Sequence, residues 1–127
     1  NFRTLYEGLK GTPWLILPKA QENSEPSWFG FLISVEEGAP FTRNELAEHL
    51  EKHKIQTRNL FAGNLLRHPA FTPMKEAGEG FRVVGNLDRT DYIMGNTLWI
   101  GVYPGMTPEM LGYMVSVIRG FVESRQK

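Results

Sequence analysis

The 127-residue chain sets 14 Lys plus Arg against 14 Asp plus Glu, with 41% of its residues hydrophobic and 22% charged. That is the length and balance of one globular domain with its own core, which excludes wholesale disorder. A net charge of zero leaves no cationic excess to engage nucleic acid or an anionic membrane surface. With no cysteine, disulfides, thiol nucleophiles, zinc ribbons and cysteine-ligated clusters are excluded within these residues, and the composition fits a reducing cytoplasm. The apolar stretches, such as Trp14 to Pro18 and Trp28 to Val35, fall far below the ~20 residues of a membrane span. A start at Asn1-Phe2-Arg3, without Met or a signal-like layout, reads as a cut inside a longer protein.

Phe2, Leu5, Tyr6 and Leu9 recur at helical spacing, and Gly11, Thr12 and Pro13 end that first helix. Trp14 to Leu17 reads as a strand, Pro18 to Pro26 as a polar turn, and Trp28 to Val35 as a second strand antiparallel to the first. Thr42-Arg43-Asn44-Glu45 is a capping box flanked by Phe41 and Leu46 as a hydrophobic staple. The helix it opens should carry Leu46 and Leu50 inward and run to about His53. Ile55 to Phe61 is a third strand, and Ala62 to Gly80 shows no period and reads as a long loop, a class usually functional or mobile. Asn86 is placed to cap a short helix through Met94, stopped by Gly95 and Asn96, before a fourth strand from Thr97 to Tyr103. Thr107 caps a last helix with Pro108 at its first position and a stripe of Met110, Leu111, Met114, Val117, Ile118 and Phe121. The alternation of elements indicates an α+β two-layer sandwich, a small and mainly antiparallel sheet packed against helices.

Candidate chemistry is sparse. His49 and His53 are four apart on one helix but lack a third ligand and the Glu that a zincin places after the first His, so they read as a solvated helix face. No GxGxxG or GxxxxGK[ST] occurs; Gly78-Glu79-Gly80 is a turn, and Glu36-Glu37 point to opposite faces if extended. The stretch Thr57 to Pro69 is different. Arg58 and Arg67, Asn59 and Asn64, and His68 leave a strand and enter a loop with Gly63 at its corner. A guanidinium fork suits phosphate or carboxylate, and sites collect in loops at strand ends.

Several stretches share a further pattern. Pro26-Ser27-Trp28-Phe29-Gly30-Phe31, Phe41 to Leu46, His53 to Leu65, Arg82 to Leu87, and Trp99-Ile100-Gly101-Val102-Tyr103-Pro104-Gly105-Met106-Thr107 resemble, in order and spacing, the C-terminal end of the CDP-4-dehydro-6-deoxyglucose 3-dehydratases. These belong to the DegT-type branch of the fold-type-I pyridoxal-phosphate enzymes, beside the sugar aminotransferases. The resemblance implies that residues 1–127 are the C-terminal small domain, with 1–12 the helix connecting it to a missing large domain. It also implies a cytoplasmic homodimer that uses pyridoxamine phosphate and a 2Fe–2S cluster to remove the C3 hydroxyl of a CDP-4-keto-6-deoxy sugar, fed by a reductase, in lipopolysaccharide dideoxysugar synthesis. In that family a histidine replaces the Schiff-base lysine, and both that position and the cluster ligands lie upstream. Hence the catalytic histidine, the Schiff-base lysine and metal ligands are not expected among His49, His53, His68 or the lysines here, the cofactor contacts stay open, and the isolated chain should be inactive. The resemblance places Arg58, Asn64 and Arg67 as polar contacts to substrate or cofactor, Phe61 and Gly63 as wall of the substrate site, and His68 as a weaker candidate. Aminotransferase relatives tend to carry histidines along this stretch, where this chain has Leu60 and Leu65.

Two alternatives stay open. One is the same small domain from a nucleotide-sugar aminotransferase, which an upstream lysine would mark. The other is a free-standing, non-catalytic ligand-binding α+β module. The exposed-looking first helix and apolar residues such as Trp14 and Trp28 without evident partners argue against the second.

Overall fold

A computed structural model describes residues 1–126. Helix α1 (Phe2–Leu9) buries Leu5 and Leu9 completely. It closes on the last helix through Gly8, where a Cβ would stand 2.6 Å from Val115. The first helix is therefore packed, not exposed. Gly11 and Trp14 both take positive φ, +75° and +65°, and turn the chain into strand β1 (Leu15–Ile16). That left-handed backbone, rare for a bulky residue, keeps Trp14 out of the strand.

Strand β2 (Gly30–Val35) pairs antiparallel with β1, Leu15 opposite Val35, as the sequence indicates. It starts later than the aromatic run suggests. Trp28 instead stacks on Phe2, ring centroids 4.0 Å apart, so its partner comes from within the chain. Helix α2 (Arg43–Lys52) begins with the expected box: Glu45 N–H donates to Thr42 Oγ1 at 3.2 Å, and Thr42 N–H donates to Glu45 Oε2 at 2.8 Å. Phe41 and Leu46 are buried on either side of it, and His53 N–H closes the helix on the His49 carbonyl.

Strand β3 (Thr57–Asn59) is shorter than Ile55 to Phe61, since Phe61 adopts φ +47° and leaves the ladder. The segment from Ala62 to Gly80 is more than a loop: 3-10 turns at Leu65–Arg67 and Pro69–Phe71 lead into helix α3 (Thr72–Ala77). Pieces of three to six residues are too short to display a period. Helix α4 (Asp88–Asn96) starts after Leu87 without a side-chain cap, so Asn86 does not serve as one. Gly95 and Asn96 lie inside it and strand β4 (Thr97–Gly101) follows directly. Helix α5 (Pro108–Ser124) has Thr107 as its cap, Oγ1 accepting from Met110 N–H at 3.3 Å. Its buried stripe is Leu111, Met114, Val117, Ile118, Phe121 and Val122; Met110 is exposed.

The strands form one open antiparallel sheet in the order β1-β2-β4-β3. Leu5 and Leu9 of α1, Leu46 and Leu50 of α2 and the α5 stripe make one core with Leu15, Phe31, Ile33, Val35, Leu98 and Ile100. This is the α+β sandwich of helices on one sheet face. Arg43 ties α2 to the sheet edge, Nη1 donating to Asn59 Oδ1 at 2.6 Å and to the Thr97 carbonyl at 3.1 Å, and burial lowers its pKa.

Candidate functional site

Alternation along the strands sends every second side chain to the face the helices leave uncovered. Leu32, Trp99 and Arg58 lie there in register across β2, β4 and β3. Gly30, on β2, has its Cβ position 2.6 Å from Trp99 Cε3, so the indole lies across the strand where any larger residue would stop it. Phe29 meets the same indole at 5.0 Å between centroids yet is 73% exposed, and Phe61 is 77% exposed. A groove of about 280 Å³ runs between Phe29, Phe61, Leu60 and Trp99. A second cleft of about 410 Å³ continues past Trp99 to α5, lined by Lys54, Gln56, Arg58, Tyr103 and Tyr113 together with Met110 and Met114. No carboxylate is among the residues lining it, so its charge is cationic although the chain as a whole is neutral.

Arg58 Nη1 donates to the Thr57 carbonyl at 3.0 Å, and the Gln56 amide lies against the guanidinium, where its oxygen, once turned to face it, would accept from Nη1 and Nη2 at 3.0 and 2.6 Å. These neighbours orient an exposed guanidinium without neutralising it. The corner that follows is built otherwise. Gly63 has φ +64°, and a Cβ there would stand 2.5 Å from Met94 Cγ. Asn64 is 6% exposed, its Oδ1 accepting from Leu66 N–H at 3.1 Å and its Nδ2 donating to Asp91 Oδ1 at 2.6 Å. Arg67 pairs with the same carboxylate, Nη2 to Oδ2 at 2.5 Å. The hydrogen bonds from Arg67 and then Asn64 hold Asp91 below the usual carboxylate range, while Asp91 raises Arg67. His68 Nε2 donates to the Ala62 carbonyl.

The structure thus divides the six residues singled out by the sequence. Arg58 and Phe61 face the open surface, and Gly63 permits the close approach of chain to α4. Asn64, Arg67 and His68 make bonds within the corner. Sequence reasoning missed Asp91, 24 residues from Arg67, which no local signal marks. It also gave Trp99 no role, although alternation against Leu98 and Ile100 places it on the free face. His49 and His53 are half-buried, their rings 4.1 Å apart, with His49 against Phe121 at 4.9 Å and His53 Nδ1 donating to the His49 carbonyl at 2.8 Å. They are a packed pair and not a fully solvated face. Among the described residues no group of three or more His, Cys, Asp or Glu is placed to hold a metal, and no helix is long and apolar enough to cross a membrane.

The open antiparallel sheet with its one helical layer is a fold shared with enzymes of known structure. The chain belongs to the DegT/DnrJ/EryC1/StrS aminotransferase family, whose profile matches residues 1–119. It is 50% identical over 122 residues to the lipopolysaccharide biosynthesis protein RfbH of Salmonella typhimurium, covering 95% of this chain and 27% of that protein. It is 46% identical over 122 residues to the dTDP-4-dehydro-2,6-dideoxy-D-glucose 3-dehydratase of Saccharopolyspora spinosa, covering 96% of this chain and 25% of that protein. Its fold is similar to E. coli GDP-4-keto-6-deoxy-D-mannose-3-dehydratase with bound hydrated PLP, TM-score 0.76 at 26% identity, covering 91% of this chain and 28% of that one. The chain therefore spans about a quarter of the length of the curated relatives it matches.

Proposed function

We propose that residues 1–127 are the C-terminal small domain of a nucleotide-sugar 3-dehydratase, with residues 1–12 connecting to its large domain. The reaction is removal of the C3 hydroxyl from CDP-4-keto-6-deoxyglucose, toward 3,6-dideoxyhexoses of lipopolysaccharide. The intact enzyme is a cytoplasmic homodimer using pyridoxamine phosphate and a 2Fe–2S cluster, with a reductase as electron donor, and the isolated chain is inactive. The observation that carries this reading is identity of 46% and 50% across nearly the whole chain to a protein named as a sugar 3-dehydratase and to one named for lipopolysaccharide biosynthesis.

The described residues do not fit a 2Fe–2S cluster, because there is no cysteine to ligate one. The cluster is accordingly assigned to the large domain, and the pyridoxamine phosphate is assigned there on the resemblance to the fold-type-I enzymes. What this chain contributes is binding and shape. Arg58 offers a charged fork to a diphosphate or carboxylate, Phe61 and Gly63 form wall, and Asn64, Arg67 and His68 hold that wall in place.

The test is the full-length enzyme incubated with CDP-4-keto-6-deoxyglucose, pyridoxamine phosphate and a reductant, with the product read by mass spectrometry. Loss of the 3-hydroxyl is expected. An amino sugar formed with an amino donor would instead establish the aminotransferase reading, which the family's own description favours. Arg58→Ala should raise KM for the nucleotide sugar about tenfold or more with kcat little changed, the pattern of lost ground-state binding.

A further inference from the structure

The two residues that the sequence offers most plainly as polar ligand contacts beyond Arg58 both turn to a single carboxylate. Asp91 Oδ1 accepts from Asn64 Nδ2 at 2.6 Å, and its Oδ2 accepts from Arg67 Nη2 at 2.5 Å and from Nε at 3.2 Å. A guanidinium fork on one oxygen and an amide on the other occupy most of what a carboxylate can accept. One turn further along α4, Met94 packs against Gly63 and takes the Asn64 N–H at 3.4 Å on its sulfur. Asp91 and Met94 are three apart and share a side of the helix, so together they grip residues 63 to 67.

Other bonds from α4 run elsewhere. Tyr92 O–H and Asn96 Nδ2, four apart, both donate to the Val35 carbonyl at 2.8 and 3.2 Å. Helix α4 is therefore a strut, fixed at the end of β2 by one set of side chains and carrying the corner on another. The corner includes Phe61, which is held at φ +47° with its ring in the open. A bulky residue keeps such a backbone only where its surroundings over-determine it.

We propose that Asp91 is a positioning residue for the substrate site, fixing the 61–68 corner and so the outward aim of Phe61 beside Arg58, without itself touching ligand. The inference rests on the reading given above, that Arg58 and the wall at Phe61 and Gly63 take the nucleotide sugar. Asp91→Asn keeps the shape and an acceptor for Asn64 but removes the charge that Arg67 grips. Asp91→Glu restores the charge one methylene further out.

In the full-length enzyme, Asp91→Asn is expected to raise KM for the CDP-sugar about tenfold, the effect of losing one charge-assisted bond. Its kcat should stay within about twofold, and Asp91→Glu should recover part of the loss. In the same proteins, hydrogen exchange at amides 61–67 should quicken while β2 and β4 keep their protection. An unchanged KM, or exchange quickened equally throughout the sheet, overturns the proposal, the latter by making Asp91 a general stabiliser. If the wild-type enzyme does not turn over nucleotide sugars, the functional reading is what fails, and exchange then decides alone. Quickening confined to 61–67 sustains Asp91 as the anchor of the corner, and unchanged exchange there overturns it.

Discussion

One face of the sheet is closed by three helices, while the other leaves aromatic rings standing in solvent, and the two faces belong to the same strands. Phe31, Ile33, Leu98 and Ile100 are wholly buried on the first. Leu32, Trp99 and Arg58, one residue away along the chain, are in register on the second. Such a step of one residue separates what holds the fold from what is free to recognise a ligand. On the closed face, contacts are apolar and numerous. On the open face, the arrangement depends on a few polar bonds at α4 and on glycines that let Trp99 and Met94 approach. Stability should therefore respond to substitutions on the closed face, and recognition to those on the open one.

The largest effect should follow Phe31→Ala, which empties a fully buried site and should destabilise by about 3–5 kcal/mol in urea unfolding. Phe29→Ala, two residues earlier with its ring 73% exposed, should stay within roughly 0.5 kcal/mol. Equal losses at the two positions would break the comparison, because the open face would then be part of the core.

A smaller effect isolates the corner. Gly63→Ala combines a left-handed backbone with a Cβ 2.5 Å from Met94 Cγ, and should cost about 1–3 kcal/mol of thermal stability. Gly38→Ala is the control: its φ is +80° with nothing within 4 Å, so only the backbone term of about 1 kcal/mol applies. The difference between the two variants reports the packing of the corner against α4, and no difference would mean that Met94 moves aside freely.

The same division explains what could be read from the sequence. The box at Thr42 and Glu45, the cap at Thr107 and the stripe on α5 are local patterns, and each appears where the residues put it. All of them serve the closed face. The α+β class and the antiparallel start were legible for that reason, and the resemblance to the sugar dehydratases rested on motifs spread along the chain. The open side was harder. Asp91 meets Arg67 across 24 residues and Asn64 across 27, which no spacing rule anticipates. The end of β3 depends on the positive φ of Phe61, and the pieces between Leu65 and Ala77 are too short to show a period. Arg58, by contrast, could be singled out because a strand end with a free cation is itself a local signal.

The smallest expected effect is in pH, and it sharpens the comparison by giving the two regions separate acid steps. His49, on α2 against Phe121 of α5, has its pKa lowered by burial first and then by His53, Arg125 and Lys52. The folded chain thus takes up this proton less readily than the unfolded chain does. The contribution is complete above the ordinary histidine value of about 6.5 and is lost as pH falls below it. At the corner, Asp91 is held down by Arg67 and Asn64, so its contribution is present above the ordinary carboxylate range and fades only as pH falls through and below about 4. Thermal midpoints measured from pH 8 to pH 3 should therefore fall in two stages. His49→Gln should remove the stage near neutrality and leave the acid one, while Asp91→Asn should weaken the acid stage alone. A single descent that neither substitution alters would show that the helix pair and the corner do not titrate as separate regions.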